Sequence, residues 1–168
     1  MPLTLTTFFF ILINVVVTPF YLLMLIAPRA ALTRLLLASM WPVALPALVH
    51  VAFILVILFV ARPNVLQLWQ SLYLEHGAFG PTTVLFLSEL YGQFPEYAVL
   101  HGWVHVVVGD IFMARWAYLD ALERGLPSWL VALVAALIAF TGPVGVITHL
   151  VVRPRYHRVS AGAQPVAR

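Results

Sequence analysis

The chain has 168 residues, of which 63% are hydrophobic and only 9% charged, with a mean hydropathy of +1.01. A soluble domain of this size keeps roughly 25% of its residues charged, so a surface this poor in charge implies lipid as its solvent. There is no cysteine, which excludes disulfides, thiolate metal sites and cysteine nucleophiles, and the +3 charge comes from arginines spread along the chain and its tail, which favours anionic lipid headgroups over nucleic acid.

A helix crosses the roughly 30 Å hydrocarbon layer with about 20 apolar residues, and four stretches reach that length: 5–26, 41–61, 97–119 and 127–152. The expected fold is therefore all-α, a polytopic membrane protein whose four transmembrane helices form one domain over 1–152. The opening MPLTLTTFFF has no basic n-region and no small-residue cleavage site after it, so it reads as the first span rather than a removable signal. That span ends at Ala27-Pro28-Arg29, and the second runs from Trp41-Pro42 to Ala61-Arg62-Pro63, with proline and arginine marking the boundaries.

Between spans two and three, Val65, Leu66, Leu68, Trp69, Leu72 and Tyr73 recur at three- and four-residue spacing. This predicts a short interfacial helix stopped by Gly77 and Gly80, and Pro81 to Tyr91 suits a second one. Pro19, Pro46 and Pro143 are expected to kink their spans and open space between helices. The tail, 153–168, is short, basic and rich in small residues, so it is expected to be disordered or held at headgroups. Four spans put both termini on one side and divide the arginines evenly, with Arg29, Arg34, Arg115 and Arg124 set against Arg62, Arg153, Arg155 and Arg158.

Span three breaks the apolar pattern, since YAVLHGWVHVVVGDIFMARWAYLD carries His101, His105, Asp110 and Arg115 inside a crossing segment. An Asp or Arg at mid-span costs roughly 2.5–3.5 kcal/mol on insertion scales, so these groups must face protein or water and are functional candidates. On a helix, His101, His105, Arg115, Trp116 and Asp120 share one broad face, while Asp110 points to a different neighbour. Asn14, His50 and His149 are its candidate partners from other spans. The structural alternative is that Asp110 and Arg115 join an ion-pair network that fastens the bundle.

His105, Asp110, Arg115, Trp116 and Asp120 together form H-x4-D-x4-R-W-x3-D. That pattern resembles the abscisic-acid-deficient-type-four, or neoxanthin-synthase-like, family of small membrane proteins. The likeness extends through Asn14 and Pro19, Ala27-Pro28, Ser88-Glu89, Gly102-Trp103, and Gly142-Pro143 with Gly145. It implies a four-span protein, in a bacterial inner or photosynthetic membrane, related to proteins that in plants support conversion of violaxanthin to neoxanthin. That conversion is an isomerisation which opens an epoxide and creates an allene. His101 stands where the family pattern has a small apolar residue.

Such a reaction needs an acid near the epoxide oxygen and a base near the adjacent carbon-bound proton, in an apolar slot. The expected roles are Asp110 or Glu89 as acid, His105 as base, and Arg115 with Asp120 as the pair that sets their charge states. Asn14, Trp116, Gly142 and Pro143 are expected to be structural, and the expected partners are the bilayer and a lipophilic molecule such as a carotenoid.

Two other classes remain open. Haem or a metal is one, with His50, His101 and His149 on three spans as cofactor ligands. The other is a non-enzymatic subunit that binds pigment or packs into a larger membrane complex through aromatics such as Phe8, Phe9 and Phe10. No nucleotide-binding glycine loop is present.

Overall fold

The computed structural model describes residues 4–77, 79–93 and 95–156, with the side chains of 60–66, 79, 81, 90, 91 and 93 left aside. The described residues fold into helices α1 (Leu5–Ile26), α2 (Ala31–Ala38), α3 (Trp41–His76), α4 (Phe79–Gln93), α5 (Pro95–Glu123), α6 (Ser128–Thr141) and α7 (Pro143–Val152), with a 3-10 turn at Arg153–Arg155. The tail from His157 onward lies outside the described residues. Three segments are long and apolar enough to cross a bilayer: Leu5–Ile26, Trp41–Phe59 and Pro95–Glu123.

α1 starts where Thr4 caps it, its Oγ1 accepting from the Thr7 N–H at 3.2 Å. Pro19 leaves it unbroken, because an interior proline removes one intrahelical bond and the surrounding packing holds the rest. α1 and α5 lie side by side and parallel. Phe10 and Trp103 meet near their first turns, with ring centroids 5.7 Å apart, and near their far ends the Tyr118 hydroxyl donates to the Pro28 carbonyl at 2.7 Å. α3 runs antiparallel to both, so that Phe53 stacks on Tyr97 and tilts against Phe9. One core, Phe9, Ile13, Phe53, Leu100 and Val104, joins α1, α3 and α5 at the upper end. A larger one, which includes Phe20, Met24, Leu37, Ile111 and Leu130, joins α1, α2, α5 and α6 at the lower end.

Two expectations are corrected here. The separate interfacial helix after Pro63 is instead the continuation of α3, which runs unbroken for 36 residues, about 54 Å. A proline costs a helix one bond, whereas the stretch after it is rich in good helix formers such as Leu68, Gln70, Leu72 and Glu75. α3 ends only at Gly77, whose φ of 61° takes the left-handed conformation that glycine adopts without strain.

The second correction concerns the expected fourth span. Residues 128–152 are two helices folded back on each other, not one continuous helix. The chain reverses at Gly142, with φ 50° and ψ −91°, and Gly145 of α7 lies directly on the backbone of Ile138 in α6, so close that an added Cβ would overlap the Ile138 nitrogen. The hairpin tip reaches Asp110, the middle of α5, and its return helix comes back to α5's end, where His149 bonds Asp120 and the Tyr156 carbonyl accepts from Arg124. Thr4 and Tyr156 therefore lie at opposite ends of the bundle, and the even division of arginines is replaced. Arg29, Arg34, Arg115, Arg124, Arg153 and Arg155 gather at the hairpin's open end.

Candidate functional site

Above the hairpin tip, α1, α5 and residues 139–143 line a half-open cavity of about 610 Å³. α1 contributes Asn14, Thr18 and Tyr21 at four- and three-residue spacing, a polar row on an otherwise apolar helix. α5 contributes Trp103, Val106, Val107 and Asp110 on one face, and the hairpin supplies Phe140, Thr141 and Gly142. Gly142 is required twice over. Its backbone turns through positive φ, and a Cβ there would stand 2.8 Å from Asp110 Oδ1. Only a glycine lets the carboxyl approach the break between α6 and α7.

Most polar hydrogens around the cavity are already committed. Asn14 Nδ2 donates to the Phe10 carbonyl at 2.7 Å, Thr18 to the Asn14 carbonyl at 2.6 Å, and Thr141 to the Leu137 carbonyl at 2.5 Å. Each satisfies a carbonyl of its own helix. The Tyr21 hydroxyl is buried and meets no hydrogen-bond partner among the described residues. The cavity wall thus carries a carboxyl able to protonate an oxygen of an apolar ligand, with the uncommitted Tyr21 hydroxyl buried in the same wall. Tyr21 was not singled out from sequence, although its place one and two turns beyond Thr18 and Asn14 was the available signal.

The other expected site residues do not join this cavity. Arg115 donates from Nε to the Ser39 carbonyl and from a terminal nitrogen to the Ala38 carbonyl, both at 3.0 Å, closing the end of α2. Both of these bonds go to α2 rather than to Asp120. That carboxylate accepts through Oδ2 from Arg124 Nε at 2.9 Å and lies 2.9 Å from His149 Nε2. Trp116 meets the His149 ring edge to face at 5.2 Å, so this cluster fastens the returning helix to α5. Glu89 sits exposed on α4. Of the partners expected for Asp110, Asn14 shares its cavity while His50 and His149 are elsewhere.

His105 faces α3, where its ring lies 5.5 Å from His50 and 6.4 Å from His101, and His50 and His101 are 5.1 Å apart. The expected ligand set is therefore split, with His50 and His101 in this ring cluster and His149 in the Asp120 network. Among the described residues no group of three or more His, Cys, Asp or Glu is disposed to hold a metal ion.

Residues 8–149, which include Asn14, Tyr21, Asp110 and Gly142, match the family described as ABA DEFICIENT 4-like. A relative, Protein ABA DEFICIENT 4, chloroplastic, from Arabidopsis thaliana, is 28% identical over 138 residues, covering 82% of this chain and 56% of that protein. The chain thus spans just over half the length of that relative. No solved structure matches. The family match runs from the first turns of α1 to His149 in the hairpin, and the chain belongs to the ABA DEFICIENT 4-like family.

Proposed function

We propose that the protein is an integral membrane enzyme that isomerises an epoxide-bearing carotenoid, with its chemistry centred on Asp110 and Tyr21. One observation carries this reading: Asp110 and Tyr21, the latter with a buried hydroxyl that is uncommitted among the described residues, both line an apolar cavity of about 610 Å³. That volume suits a small-molecule site, which usually occupies roughly 300–1,000 Å³. The resemblance to neoxanthin-synthase-like proteins supports the choice of substrate.

In the reaction proposed, Asp110 gives its carboxyl proton to the epoxide oxygen while the Tyr21 hydroxyl hydrogen-bonds that oxygen. The carbon–oxygen bond breaks and its electron pair stays on oxygen, which becomes a hydroxyl. The Asp110 carboxylate then removes the proton from the adjacent polyene carbon, and the electron pair left behind forms the second double bond of an allene. Atoms and charge balance without an oxidant, and the proton returns to the residue that gave it.

The test is chromatography of an epoxy-carotenoid incubated with purified protein in mixed micelles. Asp110→Asn is expected to lower turnover about 100-fold or more, and Tyr21→Phe on the order of tenfold to 100-fold. Full turnover by Asp110→Asn would remove Asp110 from the chemistry. A wild-type protein that holds the carotenoid unchanged would give way to the pigment-binding reading.

For its place in the bilayer, we propose three crossings, α1, the first half of α3, and α5, with α6 and α7 as a re-entrant hairpin. Non-helical backbone at membrane depth is tolerated where it lines a cavity or is buried in protein, which is where Gly142 lies. The clustered arginines put the open end of the hairpin on the side where the chain is made. Because the native chain has no cysteine, single cysteines at Arg155 and Ser71 report this with a membrane-impermeant maleimide. Labelling from opposite sides is expected; labelling from the same side would return the chain to four crossings.

A further inference from the structure

The open end of the hairpin carries more positive charge than the fold neutralises. Among the described residues it holds Arg29, Arg34, Arg115, Arg124, Arg153 and Arg155 against the carboxylates of Asp120 and Glu123. Asp120 is spent on Arg124 and His149. Arg29 donates instead to neutral oxygens, from Nε to the Ser128 hydroxyl at 3.1 Å and from a terminal nitrogen to the Leu126 carbonyl at 2.8 Å. Arg115 does the same with the carbonyls that end α2. A neutral oxygen fixes a guanidinium in place and leaves its charge unbalanced.

Two of these charges come together beside α2. The Tyr118 hydroxyl holds the Pro28 carbonyl at 2.7 Å, which sets the position of Arg29 just before the helix. Arg34, one turn further on, is exposed and makes no hydrogen bond to any described residue. The charges of Arg29 and Arg34 both act on the Tyr118 hydroxyl, so they share one neighbourhood.

Apolar side chains lie exposed at the same level. On α2, Leu32 and Leu35 are 56% and 70% exposed, and Trp129 stands next to the Ser128 that Arg29 bonds. Arg34 and Leu32 occupy opposite edges of the exposed face of α2. A short helix with this division lies along a bilayer surface, its leucines toward the acyl chains and its arginine toward the phosphates. Exposed tryptophans at the starts of α3 and α6, Trp41 and Trp129, mark the same boundary between lipid and water.

We infer that Arg29 and Arg34 form a site for the phosphate of an anionic phospholipid, with Leu32, Leu35 and Trp129 against its chains. The exposed leucines and tryptophan decide for a lipid over a soluble polyanion, which would leave them in water. The site is independent of the chemistry proposed at Asp110.

The experiment titrates the full chain, purified in a neutral detergent, with phosphatidylglycerol or with phosphatidylcholine of the same acyl chains, and counts bound lipid by native mass spectrometry. An arginine at an anionic headgroup contributes about fivefold, so wild type is expected to hold phosphatidylglycerol about tenfold more tightly than phosphatidylcholine. Because Arg34 is exposed and bonds no described residue, Arg34→Gln keeps the fold and is expected to lower that preference about fivefold. Arg155→Gln removes the same charge from the same end and is expected to leave the preference within about twofold of wild type. Equal affinity of wild type for the two lipids overturns the site, and so does an equal loss in both variants, which would reduce it to a diffuse field. Inorganic phosphate at the same concentration is expected to leave phosphatidylglycerol bound; displacement would assign the arginines to free phosphate and overturn the lipid.

Discussion

Asp110 and Asp120 lie ten residues apart on one helix, and the structure treats them in opposite ways. Asp120 is buried to 8% exposure and meets Arg124 and His149 through a single oxygen. Asp110 lines a cavity with a glycine turn beside it, and the Tyr21 hydroxyl of the same lining bonds nothing among the described residues. A carboxyl with two donors is committed to holding helices together, since leaving any member of such a group unpaired in a poorly solvated place is costly. A carboxyl kept away from cations in an apolar site adds little to the fold and retains its proton chemistry. Stability and reactivity are thereby assigned to different residues along one element.

Substitutions that exchange these roles would break the comparison. The largest effect on stability is expected from Asp120→Leu, which removes the carboxylate partner of Arg124 and His149 where α7 meets α5 and leaves Arg124 with the Tyr156 carbonyl. A loss of about 3–5 kcal/mol, read as a lowered unfolding midpoint in mixed micelles, is the expected outcome; an unchanged midpoint would deny that the cluster fastens the hairpin. Gly145→Ala comes next. Its methyl falls on the backbone of Ile138 and Leu137, which cannot rotate aside as a side chain could. Opening the hairpin to admit it is expected to cost about 1–3 kcal/mol. Arg115→Met removes two hydrogen bonds from the end of α2, partly exposed to solvent, and should cost about 1 kcal/mol. A loss as large as that of Asp120→Leu would mean that Arg115 does more than close α2.

Much of this contrast was legible in the sequence, and what was not has identifiable causes. Hydropathy marked Leu5–Ile26 as apolar throughout, and the cost of a charge in lipid singled out Asp110. The same measure cannot tell a straight crossing from a hairpin, because residues 128–152 have one length and one composition in either shape. Gly142-Pro143 was visible as a kink, whereas the close packing of Gly145 on Ile138 depends on both half-helices at once. Arg115 was matched to Asp120 through their shared motif and broad face, yet five residues set them about 140° apart, at the two edges of that face. Arg124, four residues beyond Asp120, had the spacing that allows a direct bond. Tyr21 stayed hidden because a single hydroxyl in an apolar helix reads as an aromatic packing residue until the facing helix is known.

The smallest expected effect is the most discriminating. Asp110→Asn keeps the shape of the side chain and removes its acidity, and no cation or donor among the described residues loses a partner by the change. The amide suits an apolar cavity at least as well as the carboxyl, so the unfolding midpoint should stay within about 0.5 kcal/mol of wild type, the range of substitutions that disturb no packing or pairing. Residues kept for chemistry are often neutral or unfavourable for stability, and a small gain would fit. If Asp110→Asn instead destabilised the protein as much as Asp120→Leu, Asp110 would be part of the helix-fastening network, and its place beside Gly142 would reflect architecture alone.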